Sequence, residues 1–335
     1  MNNPHPRSAP NRDVILGLIV AALLVLITIR APVFLSSGSL DTLITDGALL
    51  GMMAVAQMLP ILTGGIDLSM PANMAFTGMA TALLSRSHPA MPVLATVAIA
   101  LGIGLILGAF NGIFIAYLGI PPIVVTLGTM SIYRGAVFML SRGAWVNAQD
   151  FGKPYLAFPM GRLLGLTHIV WISALIIAAA YVFLNHMKKG RDLYALGGNP
   201  SAAKYVGINS THNKMLVYVL TGLASGLCGY LWVARYAIAY TEIALGFELQ
   251  TIAACVIGGV SITGGRGTIP GVLLGAAFLV IIFNALPIIN VSPFWQMAIS
   301  GAVVLAAVIL NSRSERSQGK VILERNQVAQ VKAVL

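Results

Sequence analysis

The stretch Met91-Pro-Val-Leu-Ala-Thr-Val-Ala-Ile-Ala-Leu-Gly-Ile-Gly-Leu-Ile-Leu-Gly-Ala-Phe-Asn-Gly-Ile-Phe-Ile-Ala-Tyr-Leu118 holds 28 residues without one charged side chain. An α-helix needs about 20 mainly apolar residues to cross the hydrocarbon core of a bilayer. Apolar runs of this kind recur along the whole 335-residue chain. The strands of a closed barrel would instead alternate between apolar and polar residues. The pattern therefore predicts an all-α polytopic membrane protein.

The composition supports the same class. Charged residues make up 9% of the chain and hydrophobic residues 58%, against about 25% and 45–50% in soluble domains. The net charge of +10 comes from basic residues in loops and tails around the apolar runs, which does not suggest a nucleic-acid partner. Cys228 and Cys255 fall inside apolar runs and are predicted to be reduced packing residues.

We predict ten membrane spans: Val14–Ile29, Leu43–Leu62, Met70–Leu84, Met91–Leu118, Ile123–Leu140, Thr167–Leu184, Met215–Ile238, Leu249–Ile262, Ile269–Leu286 and Phe294–Leu310. Two pairs of spans are divided only by Gly64-Gly65 and Gly264-Gly265, where glycine loosens the backbone but could equally lie within a broken helix. The two Gly-Gly breaks do not fall at equivalent places in two five-span halves.

Charge distribution sets the predicted orientation and domain limits. With the N-terminus inside, the predicted cytoplasmic segments hold thirteen of the twenty Lys and Arg residues, and the outer segments hold five. Cytoplasmic loops are normally the positive ones. We therefore expect a cytoplasmic N-terminal segment (1–13), a transmembrane domain (14–310) with a cytoplasmic loop at 185–214, and a cytoplasmic tail (311–335).

The predicted cytoplasmic loop at 185–214 contains the sequence Arg191-Asp-Leu-Tyr-Ala-Leu-Gly-Gly-Asn-Pro-Ser-Ala-Ala-Lys-Tyr-Val-Gly207, which predicts a short capped helix. Asn199 is a typical N-cap, Pro200 suits the first helical position, and Gly207 is placed to end the helix. A helix this short is not stable alone in water. We therefore expect this helix to be stabilised by packing against another surface and to serve as a docking element for a soluble partner.

The outer loop Ser141–Leu166 contains Trp145, Tyr155 and Phe158. Aromatic residues at a membrane interface are usually anchors. The alternative is a surface that meets an extracytoplasmic partner.

Several kinds of chemistry have no motif in this sequence. It contains no G-x-x-x-x-G-K-[ST] phosphate loop, so nucleotide hydrolysis by that route is not expected. The five His residues show no metal-ligand spacing, and no Ser-His-Asp or Cys-His arrangement is indicated. We expect neither an enzyme nor a cofactor.

Polar groups inside a bilayer are costly and usually face a cavity or the bundle interior. The candidates for a solute path are Gln57, Asp67, Asn111, Thr126, Thr129, Tyr133, Arg134 and Asn284. For the Thr residues the alternative is a hydrogen bond back to their own helix. Arg134 could instead snorkel or pair with a carboxylate. Asp67 or Ser69 could cap the following helix, and Asp67 could also gate the path at a discontinuous helix.

Seven stretches together resemble the permease subunits of bacterial ABC importers of the ribose, xylose and autoinducer-2 type. They follow the order of that family from about Leu43 to Leu286: Gly64-Gly-Ile-Asp-Leu-Ser69, Phe110-Asn-Gly112, Ile120-Pro-Pro-Ile-Val-Val-Thr-Leu-Gly-Thr129, Tyr133-Arg-Gly135, Gly190 to Ile208, Ile252-Ala-Ala-Cys-Val-Ile-Gly-Gly259 and Gly264-Gly265.

The resemblance implies a ten-span permease in the bacterial inner membrane that works as a pair, homodimeric or with a sister permease. A cytoplasmic ABC ATPase would supply energy, and a periplasmic sugar-binding protein would deliver a monosaccharide or similar neutral polyol. The coupling segment of that family maps onto Leu196, Gly197, Gly198, Asn199, Pro200, Ala202, Ala203 and Gly207. Small Ala202 and Ala203 would permit close approach to the ATPase, and Lys204 could pair with acidic groups.

Three other classes remain open from the residues. An ion-driven secondary carrier usually needs a membrane-embedded carboxylate or histidine, whereas Asp46 and Asp67 lie near predicted span ends. A passive channel would need a selectivity ring, and nothing marks one. A permease for branched-chain amino acids is the alternative within the ABC importers.

Overall fold

The computed structural model describes residues 12–288 and the single positions 292, 295, 298, 299, 301, 302 and 305. Apart from those single positions, the predicted tenth span, Phe294–Leu310, lies outside the described residues, as do the tail and residues 1–11. The described part is mostly helical. Its α-helices are α1 Arg12–Arg30, α2 Ser37–Leu62, α3 Met70–Ser87, α4 Val93–Gly112, α5 Pro122–Ser141, α6 Lys153–Met160, α7 His168–His186, α8 Lys188–Gly198, α9 Pro200–Tyr205, α10 Ser210–Tyr236, α11 Phe247–Ile257 and α12 Ile269–Ile288.

Each of the first nine predicted spans overlaps one of these helices. Within the described residues, seven helices are long and apolar enough to cross a membrane: α1, α2, α4 with its π-helical extension Ile113–Tyr117, α5, α7, α10 and α12. The helix α3 carries polar side chains along its length, and α11 has only 11 residues. Eleven helical residues span about 16 Å, half of a bilayer core. The structure therefore shows a polytopic helical protein without confirming ten spans.

The helix α10 is the central element and packs most closely on α4. Gly104 and Gly108 of α4 meet Gly222 and Gly226 of α10, and a Cβ at any of the four would overlap the backbone of the facing helix. Small residues spaced by four let membrane helices approach in this way. The buried Asn73 of α3 completes the crossing, since its Nδ2 donates to the carbonyl oxygens of Gly104 (3.5 Å) and Gly222 (3.4 Å).

The segment between α5 and α7 forms a small cover over one end of the bundle. It contains α6 and a two-stranded hairpin, β1 Arg162–Leu163 with β2 Leu166–Thr167. The sequence indicated that Tyr155 of α6 is an interfacial anchor, but the structure shows it buried. Its ring packs on Tyr230 and its hydroxyl lies 3.0 Å from Thr81 Oγ1. Trp145 and Phe158 are exposed.

Two non-helical breaks interrupt the bundle, at 63–69 between α2 and α3 and at 258–268 between α11 and α12. The eighth predicted span, which ran to Ile262, is too long by five residues because α11 ends at Ile257. Gly259, Gly264 and Gly265 all have positive φ, so the backbone cannot continue as a right-handed helix. Cys228 and Cys255 are free and buried, as predicted.

Candidate functional site

The coupling segment, defined here as α8 and α9 with the turn to Ile208, forms the caps expected from its sequence. The Asn199 side chain accepts a hydrogen bond from the Ala202 N–H (2.9 Å), and Pro200 begins α9. Gly207 has φ 79° and its N–H donates to the Lys204 carbonyl oxygen (3.1 Å). Local chemistry alone therefore sets both ends of a helix of six residues.

The coupling segment has one exposed face and one buried face. Tyr205 and Val206 are 92% and 76% exposed, which makes them the most prominent apolar surface on the segment. Leu193, Leu196 and Ala203 are buried. Ala203 therefore packs inward and does not form the docking surface that the sequence suggested for it. The spacing of Leu193 and Leu196, three residues apart on α8, was the signal for that buried side, and the exposed Tyr-Val pair was missed.

On its buried side, the coupling segment is wedged against both breaks of the bundle. A Cβ at Gly197 would overlap the Leu62 carbonyl oxygen at the end of α2 and would lie 2.5 Å from Gly265 N in the second break. Gly265 N–H donates to the same Leu62 carbonyl oxygen (3.0 Å). A Cβ at Gly264 would lie 3.0 Å from Gly64 N. We call Gly64, Gly197, Gly264 and Gly265 the glycine junction.

A side chain also ties the coupling segment to the second break. The Tyr194 hydroxyl donates to the Gly267 carbonyl oxygen (3.1 Å). Burial raises the pKa of the Tyr194 hydroxyl above its ordinary value of 10.0, so the group keeps the proton that it donates. The coupling segment is therefore in direct contact with the second break, and Gly264 of that break in turn contacts Gly64 of the first.

A buried polar cluster fills the first break beside the glycine junction. Asp67 Oδ1 accepts hydrogen bonds from Ser69 N (2.9 Å) and Ser69 Oγ (2.6 Å), and Asp67 Oδ2 accepts one from Thr221 Oγ1 (3.2 Å). Asn111 Nδ2 donates to Ser69 Oγ (2.7 Å). Neither Asp67 nor Ser69 caps α3 through its side chain, which corrects the expected cap. The carboxylate instead joins the break to α10.

Two further side chains hold the backbone of the same break. With its amide oriented to satisfy both groups, Gln57 donates to the Asp67 carbonyl oxygen (3.1 Å) and accepts from Asp67 N (3.3 Å). Thr126 Oγ1 donates to the Ile66 carbonyl oxygen (3.1 Å), so it does not bond back to its own helix. Four of the eight path candidates are thus brought together here, and all four are buried: Gln57, Asp67, Asn111 and Thr126.

The cluster keeps unused hydrogen-bonding capacity. Within the described part of the chain, neither Asn111 Oδ1 nor the Tyr218 hydroxyl, both buried, has a hydrogen-bond partner. A buried polar group without a partner costs about 1–3 kcal/mol. The closed cluster is therefore not fully satisfied, and a solute or water that reached it would find one acceptor and one hydroxyl.

The other four path candidates lie elsewhere. Thr129 Oγ1 bonds back to the Thr126 carbonyl oxygen (3.3 Å), and the Tyr133 hydroxyl donates to the Leu107 carbonyl oxygen (2.8 Å). Arg134 Nη1 donates to the backbone carbonyl oxygens of Thr241 (3.2 Å) and Ile243 (2.7 Å), so it holds the connection between α10 and α11. Asn284 lines a separate cavity on α12. The role of all eight in a solute path stays a prediction.

Comparison with known proteins identifies the family. Residues 39–308 match the family described as "branched-chain amino acid transport system / permease component". The chain is 37% identical over 303 residues to the ribose import permease protein RbsC of Escherichia coli (strain K12), covering 88% of this chain and 92% of that one. No solved structure gives a significant match.

Two further relatives have comparable extent. The galactose/methyl galactoside import permease protein MglC of Escherichia coli (strain K12) is 34% identical over 311 residues, with 88% of this chain and 92% of the relative covered. The autoinducer 2 import system permease protein LsrC of Enterobacter sp. (strain 638) is 30% identical over 303 residues, with 90% and 87% covered. The chain therefore belongs to this permease family: it is a multi-pass membrane permease component of an ABC importer.

Proposed function

We propose that the chain forms the membrane path by which an ABC importer takes up a neutral monosaccharide or a similar polyol. The relatives named above are import permeases for ribose, for galactose and methyl galactoside, and for autoinducer 2. The proposed location is the bacterial inner membrane, with both termini in the cytoplasm. That orientation follows from the positive charge of the loop at 185–214, which contains the coupling segment, because cytoplasmic loops are normally the positive ones.

The observation that carries the proposal is the two-sided coupling segment. Its exposed Tyr205 and Val206 offer an apolar anchor to a partner, and a surface cavity of about 560 Å³ lies beside them, lined by Pro200, Ser201 and Lys204 among others. Buried aromatic anchors carry much of the energy of protein interfaces. We assign the partner as the cytoplasmic ABC ATPase, and Lys204 to pairing with its acidic groups.

The buried side of the coupling segment supplies the mechanism. Closure of the ATPases would move α8 and α9. The glycine junction would pass that movement to both breaks because its contacts are between backbone atoms, with no flexible side chain between them. A shift of the first break separates Asp67 and Ser69 from Thr221 and Asn111 and opens the polar cluster to the solute. The permease then alternates between an outward and an inward opening without covalent chemistry.

The remaining partners follow from the class of transporter. A periplasmic sugar-binding protein would deliver the solute at the end of the bundle opposite the coupling segment. A second permease, either another copy or a sister chain, would complete the path in the lipid bilayer.

Import of branched-chain amino acids is the second candidate, because the matching family carries that description. The three relatives named above, each 30–37% identical, are all named for other solutes, which favours the polyol.

A cysteine cross-link tests the assigned docking face. Ser201→Cys in the coupling segment should cross-link to a cysteine placed in the ATPase and should resist a membrane-impermeant thiol reagent added outside. Ser87→Cys at the far end of α3 is the matched control, since Ser87 is also exposed, and it should behave in the opposite way. Labelling of Ser201→Cys from outside would overturn the proposed orientation and docking.

A further inference from the structure

A cavity of about 320 Å³ opens at the end of the bundle opposite the coupling segment. Its walls come from α2, the last turns of α10 and α12, and the first turn of α11. The 27 residues of α10 start directly after the coupling segment and span about 40 Å, so a full membrane thickness separates the two. We call it the outer cavity; the side chains that matter are Asp46, Trp232, Tyr236, Phe247, Gln250 and Asn284.

One wall of the outer cavity is aromatic. The Trp232 ring centroid lies 5.0 Å from that of Tyr236 and 5.0 Å from that of Phe247, with interplanar angles of 49° and 71°. The first contact is tilted and the second is edge-to-face, and both hold the rings in place. The C–H face of a sugar ring carries slight positive charge, which suits the negative face of an aromatic ring. A rigid aromatic wall is therefore a suitable platform for such a face.

The other wall offers hydrogen-bonding groups that the protein leaves unused. Among the described residues, the Gln250 amide has no hydrogen-bond partner. Asn284 Nδ2 donates to the Val280 carbonyl oxygen (3.0 Å), and its Oδ1 has no partner in the same described range. Both side chains are partly exposed in the cavity. An amide combines a donor and an acceptor, as a hydroxyl group does, so the two amides suit vicinal hydroxyls.

The charge of the outer cavity favours a neutral ligand over an amino acid. Asp46 is already held by Arg235, whose Nε lies 3.2 Å from Asp46 Oδ1. No Lys or Arg is among the described residues that line the cavity. The carboxylate of an amino acid would therefore find no unpaired cation among these described lining residues, whereas hydroxyl groups need none. The volume is at the lower end of the usual range for ligand pockets, about 300–1,000 Å³, which suits a single small molecule.

We propose that the outer cavity binds one neutral polyol of monosaccharide size as it enters from the side opposite the ATPase. This inference rests on the proposed import function. The rings of Trp232 and the exposed Tyr236 take the C–H face of the solute, with the buried Phe247 packed against Trp232. Gln250 and Asn284 bind its hydroxyls. The cavity thus selects for hydroxylated solutes before the polar cluster at the first break opens.

Uptake by the complete importer in proteoliposomes tests the proposal, with D-ribose, D-galactose and L-leucine as probes. Gln250→Leu and Asn284→Leu should each raise the KM for the imported sugar about 3- to 10-fold, the expected effect of one hydrogen bond to a neutral group. Asn185→Leu is the matched control, because Asn185 Nδ2 also bonds back by four residues, to the Tyr181 carbonyl oxygen (2.9 Å). It should leave the KM unchanged.

A labelling measurement keeps the test independent of variant folding. Pro287 is exposed at the rim of the cavity, so Pro287→Cys should react with an impermeant maleimide, and the imported sugar should slow the reaction. Ser87→Cys should react at a rate that the sugar does not change.

The outcomes separate the two claims. Sugar import with an unchanged KM in both cavity variants, or no protection of Pro287→Cys, would overturn the binding site while leaving the proposed function standing. Import of L-leucine but of neither sugar by the unaltered chain would overturn the proposed function itself.

Discussion

The substitution Gly197→Ala tests whether the coupling segment drives the two breaks through backbone contact. The new Cβ would overlap the Leu62 carbonyl oxygen and lie 2.5 Å from Gly265 N, between two atoms that hydrogen-bond to each other at 3.0 Å. Unstrained contacts of a carbon atom lie at about 3.5–4.0 Å. The coupling segment must therefore move away from Leu62 and Gly265 by at least about 1 Å.

The expected magnitude follows from that overlap. Inserting a methyl group into close-packed surroundings costs about 1–3 kcal/mol. At 1.4 kcal/mol per factor of ten, this lowers the population of the state in which the coupling segment contacts both breaks by about 5- to 150-fold. The exposed face with Tyr205 and Val206 is not altered. We therefore expect ATP-driven uptake to fall about 5- to 150-fold while the ATPase still co-purifies with the permease.

Gly198→Ala provides the control for this prediction. Gly198 is the next residue along α8, and a Cβ there would meet no atom within 4 Å. The assay compares initial uptake rates in vesicles that contain equal amounts of each permease, together with the amount of ATPase recovered. Equal uptake by Gly197→Ala and Gly198→Ala would refute the role of the glycine junction in coupling.

Three further outcomes are expected. Asn111→Leu removes the 2.7 Å hydrogen bond to Ser69 Oγ and should lower uptake about tenfold at near-normal membrane abundance; unchanged uptake would reduce Asn111 to a packing residue. Gly222→Ala should lower the thermal stability of the purified chain, since its Cβ would overlap the α4 backbone, whereas Gly102→Ala meets no atom within 4 Å and should have no effect, and equal melting temperatures would contradict the close crossing. Tyr205→Ala should weaken binding of the ATPase about tenfold without changing the amount of permease in the membrane, and full retention of binding would exclude Tyr205 as an anchor.

Features encoded in adjacent residues could be predicted from the sequence. The caps of α9 depend on Asn199, Pro200 and Gly207, which act within one turn of the helix. The helices themselves follow from runs of apolar residues. The resemblance to sugar import permeases rests on short motifs whose order is preserved.

Features that depend on long-range packing could not be predicted in the same way. The glycine junction brings Gly64, Gly197 and Gly264 together from three distant parts of the chain, and their spacing in the sequence gives no sign of it. Similarly, Tyr155 was expected at a membrane interface because nothing local shows that Thr81 and Tyr230 surround it.

The polar path candidates show both what the sequence could predict and what it could not. A polar residue within an apolar run is a valid sign of a special environment, and Gln57, Asp67, Asn111 and Thr126 do form one cluster. Their partners were not predictable, because Thr221 joins the cluster from α10. Of the residues proposed to bind the solute in the outer cavity, only Asn284 was among the path candidates from the sequence. Nothing in the sequence of α10 or α11 distinguished Trp232 or Gln250 from their neighbours.

Reconstitution tests the central claim most directly. The purified chain alone in liposomes should not concentrate D-ribose or D-galactose under any imposed proton or sodium gradient, because the driving force of an ABC importer is ATP hydrolysis on a separate subunit. Addition of the ATPase, the binding protein and any sister permease, with ATP, should produce accumulation of the sugar. Gradient-driven accumulation by the isolated chain would contradict the account.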